Sequence, residues 1–238
     1  MLRKILFLFA LLPCWSASMI NAQFIGELGF YGGTNMSKLN ERFFDYPNRW
    51  GGQVGFTAVV GNKWCQGEIS LSYLNIGHKY NSRMMLGMND TGRSQIQFRK
   101  YKASAHYIDL PVSLALGWWN MDKSGFGLMV TGGAYVSAGL GGKIKVNQDV
   151  RSYNDSGVLY ENFSTDELST SYFGDNPHQY KRFDAGWTVG LRFGLGPTIR
   201  LTASYRQGLV NLSNIKGYKV TNRAIMIGLF LNFVHEDY

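Results

Sequence analysis

The stretch Ile199-Arg200-Leu201-Thr202-Ala203-Ser204-Tyr205-Arg206 changes from apolar to polar at every step. Side chains two apart share one face of a β-strand, so these residues give an apolar face and a polar, cationic face. The same pattern predicts strands near residues 24–33, 50–60, 65–74, 106–119, 126–142, 183–193, 199–206 and 224–233. The gaps between them run long, short, long, short. The short ones, residues 61–63, 120–124 and 194–198, are rich in turn formers, and the longest runs from Lys143 to Arg182. With the first strand rising from the periplasmic side, every short turn falls on that side and every long loop outside, the loop asymmetry of an outer-membrane barrel.

Sorting each strand into two rows shows what surrounds it. In the fourth strand Ile108, Leu110, Val112, Leu114, Leu116 and Trp118 oppose Asp109, Pro111, Ser113, Ala115 and Gly117. In the last, Ile225, Ile227, Leu229, Leu231 and Phe233 form the apolar row. Every charged residue within the eight segments (Glu27, Glu68, Asp109, Asp184, Arg192, Arg200 and Arg206) falls on the other row. Lipid imposes such sorting, because a cation at mid-bilayer on the outer face of a barrel costs about 2–4 kcal/mol. A soluble barrel would satisfy the alternation with apolar rows turned inward. Small and polar residues instead fill one row of nearly every strand, and aromatics gather at strand ends as membrane-interface girdles. Trp64, Trp118, Trp119, Phe126, Phe193 and Phe233 are expected at the periplasmic ends, and Tyr73, Tyr107, Phe183, Trp187 and Tyr205 at the outer ends. The expected fold is therefore all-β: an eight-stranded, antiparallel, up-and-down transmembrane barrel. Pro111 has no N–H to give a ladder, so a bulge or bend is expected there.

Residues 1–22 read as a signal peptide, with basic Arg3 and Lys4, an apolar run from Ile5 to Leu12 and small Ala22 before the cleavage point. Residues 23–238 then form one barrel domain, expected in the outer membrane of a Gram-negative bacterium. No later segment approaches the roughly 20 apolar residues of a spanning helix. Charged residues at 17% fall short of the roughly 25% usual in soluble domains. Only Cys65 remains after cleavage, which excludes an internal disulfide or a cysteine metal cluster.

Several stretches resemble the PorT-type outer-membrane β-barrel family of Bacteroidota. They are Tyr107-Ile108-Asp109-Leu110-Pro111-Val112, Arg182-Phe183-Asp184-Ala185-Gly186, Tyr205-Arg206-Gln207-Gly208-Leu209-Val210-Asn211-Leu212, and the apolar last strand ending Asn232-Phe233. The resemblance spans the exported chain. It implies an integral outer-membrane barrel, and through the family's namesake a link to type IX protein secretion or gliding.

Eight strands enclose a space that side chains can fill, so the seven lumen charges are expected to meet one another as a plug. By depth they divide into Glu27, Glu68, Arg192 and Arg200 near the periplasm, and Asp109, Asp184 and Arg206 further out. Arg192 and Arg200 flank the same turn and are expected opposite each other, each reaching across the lumen to a carboxylate. A narrow porin-like channel is the alternative. Outside, Lys79, Arg83, Arg93, Arg99, Lys100 and Lys102, with Lys216, Lys219 and Arg223 of the last loop, form a basic rim suited to lipopolysaccharide phosphates. The loop of residues 143–182 carries six aromatics and both signs of charge, a composition fit for a folded lid or a protein contact. No catalytic, cofactor or metal site is expected. His106, Asp109 and Ser104 are the nearest to a catalytic trio, and strand parity splits them, so a lipid-modifying enzyme is the weaker alternative. The charge of +8 sits largely in the loops of an exported chain, which argues against nucleic acid as a partner.

Overall fold

The computed structural model describes residues 25–41, 48–88, 94–119, 126–153, 159–196 and 198–237; the signal at residues 1–22 and Arg93 lie outside them. Among these residues nine strands follow in order: β1 (Ile25–Glu41), β2 (Arg49–Gly61), β3 (Cys65–Met88), β4 (Ser94–Trp119), β5 (Phe126–Tyr153), β6 (Leu159–Ser171), β7 (Phe183–Leu195), β8 (Ile199–Gly208) and β9 (Val220–Asp237). Each neighbouring pair is antiparallel. β1 joins β9, and β5 joins both β4 and β7, so eight strands close into a ring with β6 outside it. Closure leaves no open edge in the part that meets lipid.

The apolar rows face outward. Leu201 and Ile227 are 44% and 53% exposed, and the outward positions of β4 from Ile108 to Trp118 are likewise open, whereas their opposite rows are covered. A soluble barrel would bury these side chains, so a lipid-facing band is the arrangement the fold supports.

Two parts of the sequence-based outline change. First, β3, β4 and β5 are 24, 26 and 28 residues long, far beyond the roughly 9–11 that cross a bilayer. Their outer halves continue past the girdle and, with β6, build a projecting four-stranded sheet; β6 lies within the segment expected to be loop and pairs from Lys143↔Ser171 to Tyr153↔Leu159. Apolar contrast between rows fades once a strand leaves lipid, but the backbone ladder continues. β9 likewise runs beyond Phe233, its backbone paired with β1 as far as Ile25↔Asp237. Second, Pro111 causes no bulge. The β4–β5 register passes through Pro111↔Tyr135 unbroken, and the β3–β4 ladder lapses beside it yet keeps step from Ile69↔Val112 to Ser72↔Asp109. The bulge lies further out, where His106 pairs with Gly141 and Tyr107 with Gly139, leaving Leu140 as the extra residue.

The short turns have local causes. In the β2–β3 turn the Asn62 side-chain oxygen accepts from the Trp64 and Cys65 amides at 2.8 and 2.9 Å, an Asx-type closure. In the β7–β8 turn Gly196 takes φ 68°, a left-handed conformation that glycine adopts without cost.

Candidate functional site: a filled lumen, an aromatic lid and a basic outer face

The lumen is filled in tiers. At the periplasmic end Arg200 is fully buried, bonded to Glu27, with its guanidinium 4.4 Å from the Trp119 ring centre and 5.1 Å from that of Phe230. Trp119 lies flat across Gly127 and Gly194, where an added Cβ would meet the indole at 2.4 and 1.8 Å. Above this floor Arg192 of β7 pairs with Glu68 of β3 and donates to the Gln66 side-chain oxygen at 3.3 Å. Higher still Arg206 of β8 grips Asp109 of β4 with two bonds of 2.7 and 2.9 Å, and Ser137 bonds both partners. The Arg206 guanidinium stacks 3.3 Å from the centre of the Tyr135 ring. Such forked, charge-assisted bonds fix geometry as well as energy. Asp184 accepts from the Asn222 amide at 3.0 Å and the Tyr135 hydroxyl at 3.3 Å. Between the Arg192 and Arg206 tiers is a polar cavity of about 90 Å³, bordered by Tyr31, Ser70, Ser72 and Thr131, with room for a few waters.

The outer mouth is covered by the chain after β6. Tyr172 and Phe173 are buried against Leu74, Ile76, Ala103, Ala105 and Tyr107. The Tyr172 amide donates to Gly142 O at 3.0 Å and the Tyr180 amide to Tyr172 O at 2.9 Å. Gly139 permits this, since a Cβ there would strike the Phe173 ring at 2.3 Å. Asn214, from the β8–β9 loop, donates to the carbonyls of Gly174, Asn176 and Gln179 at 2.7, 3.2 and 3.0 Å, pinning the lid from the far side of the mouth. His78, on β3 above the girdle, lies against the Tyr172 and Tyr180 rings; burial, with Arg49 nearby, pushes its pKa down to about 3. Burial likewise raises that of the Tyr172 hydroxyl.

The seven lumen charges point inward, six of them in the three cross-lumen pairs and Asp184 in neutral hydrogen bonds. Arg192 and Arg200 are not opposite each other. The turn closes at Leu195↔Ile199, which sets Arg192 against Thr202 and Arg200 against Gly194. Two aromatics assigned to girdles, Trp119 and Tyr107, face inward as floor and lid contacts. The basic rim is not one surface. Lys100 and Lys102 lie exposed on β4 with Arg99 half-buried, while Lys216, Lys219 and Arg223 stand on the β8–β9 side, where Arg223 donates to Gln207 at 2.8 Å. The Arg83 side chain lies outside the described residues.

Sequence inspection overlooked Arg49, Lys143 and Lys145, which join Lys79, Lys100 and Lys102 around one recess of about 710 Å³ on the outer sheet. Extending the alternation past the girdle would have raised the two β5 lysines. Strand parity separates the trio: His106 stacks on Tyr73 and meets Asn75 at 2.9 Å on the outer face, whereas Asp109 is held by Arg206 inside. Among the described residues no group of His, Cys, Asp and Glu could hold a metal ion.

Residues 21–214 match the family model for the outer membrane protein beta-barrel domain. The chain belongs to that family. No curated protein matches this outer membrane protein beta-barrel domain in sequence. Among solved structures it is similar to the attachment invasion locus protein Ail of Yersinia pestis, at 15% identity over 87% of this chain and 99% of that one, with a TM-score of 0.41. It is also similar to Neisserial surface protein A (10% identity, 87% and 97% covered, TM-score 0.37) and to the N-terminal barrel of Pseudomonas aeruginosa OprF (10%, 87% and 99%, 0.35).

Proposed function

We propose that this outer-membrane barrel is a non-conducting anchor that carries a projecting β-sheet and lid as a contact surface for a partner protein. The observation that carries it is the filling of the lumen at both ends: the Arg200–Trp119–Phe230 floor below and the Tyr172–Phe173 lid above, with cross-lumen ion pairs between. Material invested in the outer strands, rather than in a bore, favours work outside the membrane. Leu159 and Leu168 of β6 are 49% and 62% exposed above the lipid band, Leu209 and Ile215 beside the lid are exposed too, and apolar groups in that setting suit a protein contact. The resemblance to PorT-type barrels supports type IX secretion or gliding as the setting of that partner. A photocrosslinker at position 168 tests this in native outer membranes: a discrete protein adduct is expected there, and none from position 112 on the lipid face. Adducts from neither position would remove the contact-surface role.

A lipid-modifying enzyme or a narrow pore has less support. His106 is held by Tyr73 and Asn75 without a carboxylate among its bonded partners, and the pore axis is crossed by buried pairs.

A further inference from the structure

Lys102 of β4 is the direct cross-strand partner of Lys79 on β3 and of Lys145 on β5. Three cations thus stand in one row on adjacent strands about 4.8 Å apart, which concentrates positive potential along one line of the sheet. Lys100 and Lys143 lie two residues along the same face.

The face is the outer one. Lys102 continues the row of Ile108, Leu110 and Val112, and Lys79 that of Leu71 and Tyr73. On β5 the lipid-facing positions are even-numbered as far as Leu140. The bulge at Leu140 reverses parity, so Lys143 and Lys145 point outward while Ile144 turns inward onto the lid cluster. Without that single extra residue the two lysines would enter the mouth and the row would not exist. Lys143 lies three residues beyond Leu140, and Lys79 and Lys102 lie six beyond Tyr73 and Ile108. At roughly 3.3 Å per residue and a 45° tilt, the cations stand about 7–14 Å outside the apolar edge, at the level of lipid headgroups.

The recess over this row, about 710 Å³, has no carboxylate among its described lining residues. Gly141 leaves its floor open, with nothing within 4 Å of where a side chain would start. We infer that this recess is a binding site for the phosphorylated headgroup of the outer-leaflet glycolipid, lipopolysaccharide, seated against the outside of the barrel rather than over its mouth. The placement does not depend on the lumen being closed.

The test uses the full exported chain in detergent micelles, with binding of bisphosphorylated lipid A and of the same lipid stripped of phosphate followed by native mass spectrometry. K79Q/K102Q/K145Q is expected to weaken bisphosphorylated lipid A at least tenfold, while K216Q/K219Q stays within twofold of the unaltered protein. Removing the phosphates should weaken binding to the unaltered protein by a similar factor. Strand content by circular dichroism should be the same in all three proteins, since the substituted lysines are exposed. Equal binding by the triple variant, or equal binding of the dephosphorylated lipid, would overturn the site. So would capture of heparin through these lysines while lipid A binding is indifferent to them, since the occupant would then be a soluble polyanion.

Discussion

Asp109→Ala removes the carboxylate that Arg206 grips with bonds of 2.7 and 2.9 Å, and both groups are almost wholly buried. Among the described residues the guanidinium bonds no other carboxylate. Its remaining contacts are Ser137 and the face of Tyr135, and Asp184 is engaged by Asn222 and Tyr135. A buried cation left without its counter-ion costs about 3–5 kcal/mol, much more than an exposed pair. Replacing both members by neutral groups of similar volume, as in Asp109→Asn with Arg206→Met, removes the desolvation cost together with the attraction and is expected within about 1.5 kcal/mol of the original. Urea unfolding in lipid vesicles, followed by tryptophan fluorescence, measures Asp109→Ala together with Asp109→Asn, Arg206→Met and the pair of the last two. The single changes should each lose the larger amount and the pair should recover most of it, a coupling visible in a double-mutant cycle. Simple addition of the two single losses, or a loss below about 1 kcal/mol for Asp109→Ala, would refute a cross-lumen pair.

Other consequences are independent of that pair. Gly194→Val drives a side chain into the Trp119 indole, already 1.8 Å from the position of a Cβ, and should cost at least about 2 kcal/mol in the same unfolding assay. Asn214→Ala removes three bonds to the lid carbonyls, so amide exchange across residues 172–182 should accelerate at least tenfold while the transmembrane strands keep their protection. His78 stays neutral beneath the closed lid down to pH about 3 but protonates near 6.5 once the lid opens. The open state therefore binds more protons between those values, closure is favoured above pH 6.5, and that preference falls by up to about 1.4 kcal/mol per pH unit on acidification. Proteolysis within residues 172–182 should rise between pH 7.5 and 4.5, and His78→Phe should abolish that rise.

Much of the barrel is legible in the sequence because lipid enforces a contrast that parity alone exposes. Glu27, Glu68, Asp109, Asp184, Arg192, Arg200 and Arg206 fall on one row for that reason. Which arginine meets which carboxylate depends on register, and a turn closing at Leu195↔Ile199 rather than symmetrically about its centre moves Arg200 two places from Arg192. Parity already put Tyr107 and Trp119 inside; the tendency of aromatics to mark membrane interfaces outweighed it and misplaced both. The outer sheet escapes notice because Lys79, Lys100 and Lys102 end the apolar contrast, although Tyr80, Tyr101, Ile144 and Val146 still alternate with polar residues. The face shared by Lys143 and Lys145 rests on one extra residue at Leu140, for which the glycines around it are the only hint in the sequence.

Single-channel recording of the purified exported chain in a planar bilayer tests the closed lumen directly. The unaltered protein should leave the membrane at its baseline conductance, and Trp119→Ala combined with Asn214→Ala, which loosens floor and lid together, should introduce discrete openings. Steady openings of the unaltered protein, with the pore-filling pairs intact, would contradict a sealed barrel.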